Sequence, residues 1–288
     1  MKIENHKCFS LEKKGEGSPG DNIKARFNRI DSVMKYFKSI RPEDLNRYVK
    51  ELKGKLDTEL SNFKYDMEAF DWGVLREGLE LIPNYPELEE SVYHYMCKIL
   101  KLPENYKHEQ GKITLSFYDR IKAGETISYY LVSSFIDIYG KKEGIEIYKQ
   151  IVPHLIEERR AREKQEEPED PKTVTILDSN NRAIESWCEI GLVDFSFCIF
   201  DDYKLIYRFD RCLTPEALKE FNDPDIAYLA TCYIGDAPEF NEGRTIHMRR
   251  TQTLHHAKFC DEFYWNNYVY PDVEQPDLEF TEKMGKDA

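Results

Sequence analysis

The chain lacks the short signatures of the commonest chemistries. No GxGxxG precedes a helix, and there is no GxxxxGK[ST], no HExxH, no CxxC pair and no GxSxG elbow. Dinucleotide binding, P-loop phosphoryl transfer, thermolysin-like proteolysis and thioredoxin-like redox chemistry therefore lose support. It also lacks an apolar run of the roughly 18 residues a membrane span needs. The longest runs, such as 129–138, contain Ser and Asp. The N-terminus MKIENHKCFSLEKKGEG has no apolar stretch of the signal-peptide kind, position 2 is Lys and the chain ends MGKDA, so neither export nor lipidation is expected and a cytoplasmic location is. Basic residues are in deficit, with 41 Lys and Arg against 54 Asp and Glu and a formal net charge of -13. Phosphate contacts need an excess of Lys and Arg, so nucleic acid and anionic lipid are not expected partners. Seven cysteines are present, an odd number. Without an export signal, that count disfavours a disulfide scaffold and leaves reduced thiols, metal ligands or plain buried residues.

What is present divides by texture. Residues 1–20 carry Gly15, Gly17, Gly20 and Pro19 among charges and read as a flexible arm. Residues 21–165 are helical in period. Ile23, Phe27, Ile30, Val33, Met34 and Phe37 make one apolar face, and Leu45, Tyr48, Val49, Leu52 and Leu56 make another after Pro42. Asn84 and Pro86 can open a further helix, and Ser116 to Tyr139 reads as a long central one that Gly140 stops. The charged, Pro-punctuated stretch 160–172 is the best boundary. Beyond it, 173–270 reads as an α+β region. Leu192 to Phe200 and Lys204 to Asp210 form a hairpin, Thr214-Pro215 and Asp223-Pro224 each cap and open a short helix, and Thr245–Thr253 and Cys260–Tyr270 are strands. Residues 271–288 read as an acidic surface tail. The expected fold is α+β, a helical N-terminal region packed on a C-terminal, mainly antiparallel sheet with short helices.

The residues that could carry chemistry fall at the ends of these C-terminal elements, where functional side chains tend to be displayed. They are Arg211 and Cys212, Cys232 and Asp236, the stretch Arg249 to His256, and Cys260, Asp261 and Glu262. Cys212, Cys232 and Cys260 could be metal ligands, for which zinc or iron is the natural choice. Their wide spacing is not diagnostic, and burial as small hydrophobes competes. A thiolate at Cys232 would stand at a helix C-terminus, where the dipole opposes it. Cys260 has two acids beside it and needs Arg249, Arg250, His255 or His256 to fold back on it. For Cys8, Cys97, Cys188 and Cys198 core packing is the expected role. Arg250 would suit a carboxylate-bearing ligand through its planar fork. On a strand Arg249 and Arg250 face opposite sides, so one of them is expected in a surface ion pair.

Arg211-Cys212, Cys232 with Asp236 four residues on, Arg250-Thr251-Gln252-Thr253-Leu254, and Cys260-Asp261 running into aromatics together form a pattern. It resembles the L-2-amino-thiazoline-4-carboxylic acid hydrolase family over about residues 185–268, with architectural similarity only before that. The chain departs from the family pattern where His255, His256 and Ala257 replace small residues and where Glu262 separates Cys260-Asp261 from Phe263. The resemblance implies hydrolytic opening of a C–N bond in a small cyclic amidine bearing a carboxylate. Water or a thiolate must add to an electrophilic C=N carbon and a ring heteroatom must be protonated, so the site needs a base, an acid and an anion anchor. The candidates are Cys232 or Cys260 as nucleophile or metal ligand, Asp236 or Asp261 as proton shuttle, His255 or His256 as acid, and Arg250, with Thr251 and Thr253, to bind substrate. Two other classes stay open: a metal- or small-ligand-binding module without turnover, such as a sensor, and a redox or ring-modifying enzyme with a metal on the cysteines. Assembly as a homo-oligomer is compatible with each.

Overall fold

In the computed structural model, residues 2–163 and 169–285 are described. Contacts divide the chain into two compact units, Glu12–Leu155 and Met1–Leu11 with Ile156–Ala288. The break expected over 160–172 lies partly outside the described residues, since 164–168 are not among them. The strands are β1 (Lys2–Lys7), β2 (Lys14–Gly17), β3 (Ile113–Ser116), β4 (Val193–Asp201), β5 (Lys204–Cys212), β6 (Ile246–Arg249) and β7 (Cys260–Asn266). The helices are α1 (Pro19–Ile40), α2 (Leu45–Leu60), α3 (Trp72–Arg76), α4 (Pro86–Ile99), α5 (Phe117–Tyr139), α6 (Lys141–Glu163), α7 (Leu177–Ile190), α8 (Leu213–Leu218), α9 (Pro224–Thr231), α10 (Tyr233–Asp236) and α11 (Leu278–Met284). The fold is α+β. No helix among the described residues is long and apolar enough to cross a membrane.

The helical unit follows its periodicity. Ser18 accepts a hydrogen bond from the Asp21 N–H and Pro19 takes the first turn, so α1 starts where its apolar face starts. The six apolar residues of that face are buried. Ser116 does the same for α5 by accepting from the Asp119 N–H at 3.1 Å. The faces of α1, α2 and α5 meet at Phe37, Tyr48 and Phe135, with the last two rings stacked at 4.3 Å. Gly140, at φ +79°, ends α5 in a conformation that favours glycine. The fourth apolar helix starts at Pro86, but Tyr85 rather than Asn84 precedes it and gives no side-chain cap.

The sheet unit holds a five-stranded sheet in the order β1-β4-β5-β7-β6, antiparallel throughout. Alternation sends Phe195, Phe197, Leu205, Tyr207, Phe209 and Cys260 to one face, where Ile184 and Trp187 of α7 cover them. Cys198, Ile206, Phe263 and Trp265 go to the other face, against Met284 and Phe280 of α11.

Several expectations are corrected here. The arm expected over residues 1–20 contains β1, paired along its length with β4, and β2, paired with β3. Cys8 and Cys188, expected to be core thiols, form a disulfide across 180 residues of sequence. The expected surface tail contains α11, in which Thr281 and Met284 are buried; residues 286–288 of that tail lie outside the described residues. Thr214 does not cap α8, which starts one residue earlier at Leu213. Asp223 does cap α9, accepting from the Asp225 and Ile226 N–H groups. The strand expected over Thr245–Thr253 stops at Arg249.

Candidate active site

β6 is the edge strand of the sheet, and its free edge is covered by a side chain. Asn241 donates through Nδ2 to the Met248 carbonyl and accepts from the Met248 N–H, both at 2.9 Å, standing in for a further strand. Where β6 stops, Asp261 takes over. Its carboxylate is fully buried and accepts from the Thr251 N–H (2.9 Å), the Thr251 hydroxyl (2.6 Å), the Gln252 N–H (2.9 Å) and Gln275 Nε2 (2.6 Å). Those bonds fix the turn 250–253 as one wall of a cavity of about 770 Å³, within the range of small-ligand sites. Tyr228, Asp236, Asn241, His247, Arg249, Arg250, Thr251, Gln252, Thr253, His256 and Trp265 line it.

Because the strand ends at Arg249, alternation no longer governs Arg250, and both arginines reach the cavity. Their environments differ. Arg250 Nε lies 2.8 Å from Asp236 Oδ1 and Nη1 lies 3.5 Å from Glu262 Oε1. Burial disfavours its charge, but Glu262 and Asp236 outweigh that and hold the guanidinium protonated. Two carboxylates already answer its single charge, so Arg250 serves as an internal counter-ion. Arg249 is exposed, its guanidinium stands 5.1 Å from the Trp265 ring centre, and it has no carboxylate partner among the described residues. Of the two arginines it is Arg250 that is ion-paired, and the pair lies inside rather than at the surface as expected. Gly235 makes room for the inner one: a Cβ there would stand 2.3 Å from Arg250 Nη2 and 2.9 Å from Met248 Cε.

Asp236 closes the other side. Its Oδ2 accepts from the Tyr228 hydroxyl at 2.7 Å. Burial raises its pKa above the ordinary carboxylate value, while Arg250 and the Tyr228 hydrogen bond pull the other way without cancelling it. A carboxyl with that balance, on the wall of a cavity, can take and return a proton. Three polar atoms of lining residues are buried without a well-aligned hydrogen bond: Arg250 Nε, despite its 2.8 Å approach to Asp236 Oδ1, and Thr253 Oγ1 and Trp265 Nε1, whose residues are at most 4% exposed. Unsatisfied buried donors are rare in native proteins, and these atoms are closed off from the cavity as well as from water.

The other sequence candidates separate. Arg250, Thr251, Thr253, Asp236 and His256 line the cavity. His256 is exposed and 3.1 Å from Asp225. His255 does not line the cavity. It lies 3.0 Å from the Thr231 hydroxyl, and burial, with His256 and Arg250 adding repulsion, lowers its pKa to about 4, so it is neutral at neutral pH. Asp261 holds the wall from outside the cavity. Cys260 is buried in the sheet core, and burial together with Glu262 keeps it a thiol, well above the usual range. Cys232 terminates α9, receives a hydrogen bond from the Thr231 hydroxyl and is absent from the lining. Cys212 packs against the sheet core. The metal set Cys212, Cys232 and Cys260 is not assembled. Among the described residues, the group of His, Cys, Asp or Glu ligands close enough to share an ion is His6, Cys8 and Cys188.

Tyr228, His247, Gln252 and Trp265 are lining residues that the sequence left unassigned. Tyr228 is eight residues before Asp236, two helical turns back, and that spacing was the available signal. No family, curated protein or solved structure matches this chain.

Proposed function

We propose that the chain is a hydrolase that opens a C–N bond in a small cyclic, carboxylate-bearing substrate, and that water activated at Asp236 attacks rather than a cysteine. The observation that supports it best is Asp236 itself: a half-buried carboxyl of raised pKa, on the wall of a small-ligand cavity, held at both oxygens by Tyr228 and Arg250. Asp236 takes a proton from water as it adds to the C=N carbon, then returns it to the departing ring nitrogen. Arg250 limits the cost of the carboxylate form and fixes its orientation. Arg249, the cavity cation without a carboxylate partner among the described residues, is the anchor for the substrate carboxylate. The cysteines have no part in this reading, because Cys260 is a buried thiol and Cys232 is outside the lining. The test is incubation with a panel of five-membered cyclic amidine carboxylates, scored by mass spectrometry for gain of one water. Turnover by wild type that is lost in Asp236→Asn is the expected result. Binding without turnover by wild type would instead make the cavity a ligand sensor.

A further inference from the structure

Strand β1 leads into the Cys8–Cys188 disulfide, which ties it to helix α7. A ring nitrogen of His6 and both sulfurs lie within 4.8 Å of one another, and all three residues are half-buried. The His6 ring is stacked on Phe195, at 4.8 Å between centres and 10° between planes, with Phe197 next to it, so the sheet holds the imidazole in place. Its Nε2 is buried without a hydrogen-bond partner. A disulfide gives an imidazole nothing to bond, and a buried ring nitrogen without a partner is costly. Two thiolates and an imidazole form a donor set that suits zinc. Zinc bonds of about 2.3 Å to sulfur and about 2.0 Å to nitrogen put neighbouring ligand atoms about 3.5 Å apart in a tetrahedron. In the disulfide form the three donors lie within 4.8 Å of one another, so parting the two sulfurs on reduction and a small inward shift of the ring would bring them to that spacing.

We propose that His6, Cys8 and Cys188 form a redox-gated zinc site, closed as a disulfide when oxidised and open to one zinc ion when reduced. A dithiol reductant supplies the two electrons and two protons. The S–S bond breaks, Cys8 and Cys188 become thiols, and the dithiol closes to its own disulfide. Zinc then displaces the two thiol protons to solvent, His6 binds through a neutral ring nitrogen, and water takes the fourth position. β1 stays tied to α7 in both states, so the exchange changes what the site holds and leaves the sheet order intact. The site is independent of the cavity at Asp236 and of the reading given for it.

The test is a zinc titration of the full-length protein against a chromophoric chelator. One sample is oxidised; the other is reduced with a phosphine, which takes up oxygen from water and returns the same two thiols without competing for metal. One tight zinc per chain in the reduced sample and none in the oxidised one is the expected result. In the reduced state Cys188→Ser should abolish that binding. His6→Ala should weaken it by more than about tenfold, because even outer partners of a zinc ligand are worth about 10–100-fold in affinity. Cobalt(II) in the same samples should show thiolate charge-transfer absorption only after reduction. Absence of stoichiometric zinc in reduced wild type overturns the proposal, and that arm does not depend on any variant folding. Unchanged binding in Cys188→Ser also overturns it, by placing the metal away from the Cys8–Cys188 pair, on thiols such as Cys97, Cys198, Cys212, Cys232 or Cys260.

Discussion

The helical unit and the sheet unit both bury carboxylates, and they use them differently. In the helical unit Asp31 accepts from three consecutive backbone N–H groups, those of Glu80, Leu81 and Ile82, at 3.0, 2.7 and 2.7 Å. Glu89 is clasped there by the Arg76 guanidinium through both its oxygens. Asp31 pins a loop to α1 and Glu89 ties α4 to the end of α3, with their hydrogen-bonding capacity spent internally. The sheet unit has two of the same kind, Asp194 and Asp261, but also the half-buried Asp236, which borders open space and whose partners leave its pKa raised. The two settings differ in what adjoins the acid: Asp31, Glu89 and Asp261 are closed in by their partners, whereas half-buried Asp236 also borders a cavity. The comparison can be broken at several points.

The largest effect is expected at Asp236. Replacement by Asn keeps the shape and the Tyr228 and Arg250 neighbours but removes the base, and general-base loss is worth about 10²–10⁴ in kcat. Thermal unfolding should move little, so kcat and melting temperature measured on one preparation will separate catalytic from structural loss.

Asp31→Ala should do the reverse. It orphans three N–H groups in or near the core, a loss of about 3 kcal/mol or more in denaturant unfolding, while kcat/KM of the protein that remains folded stays at the wild-type value. A fall in kcat/KM would contradict the division of roles between the units.

The third effect depends on pH. His255 has its pKa lowered to about 4 by burial. The unfolded chain takes up this proton below the ordinary histidine value of about 6.5 and the folded one resists it, so stability is full above that value. It declines as pH falls toward about 4, by up to about 3 kcal/mol for this one group. Urea unfolding between pH 7 and 4 should be flatter for His255→Gln than for wild type. Equal slopes would show that the imidazole is not held neutral.

The smallest effect is expected at Arg249. Arg249→Ala removes one charged hydrogen-bonding partner from the cavity mouth, worth about 1.5–3 kcal/mol. KM should rise about tenfold or more with kcat nearly constant, because uniform binding is lost. A change confined to kcat would place Arg249 in the chemistry instead.

The sequence showed the fold wherever one residue type decides the local structure. The apolar face of α1, the Ser116 start and Gly140 stop of α5, the β4–β5 hairpin and the Asp223-Pro224 cap all have a signal a few residues long. β1 was hidden because its register comes from β4, nearly two hundred residues away, and its composition is polar. The disulfide was hidden for the same reason, since an odd cysteine count without an export signal points away from one. Within the site, Asp236, Arg250, Thr251 and Thr253 could be read from the chain, because their neighbourhood is short and charged. That both Arg249 and Arg250 line the cavity could not, because it depends on β6 ending at residue 249. Cys260 and Asp261 attracted attention as reactive types, yet their strand position sends the first into the core and the second beneath the cavity wall.

The central claim is that a carboxyl and water, not a thiol, carry the reaction at the cavity. The most direct measurement is turnover of a cyclic amidine carboxylate by wild type, by Cys232→Ser, by wild type treated with iodoacetamide, and by Asp236→Asn. The account predicts that the first three share one kcat and that the last is inactive. Inactivation by iodoacetamide or by Cys232→Ser, with Asp236→Asn still turning over, would contradict it.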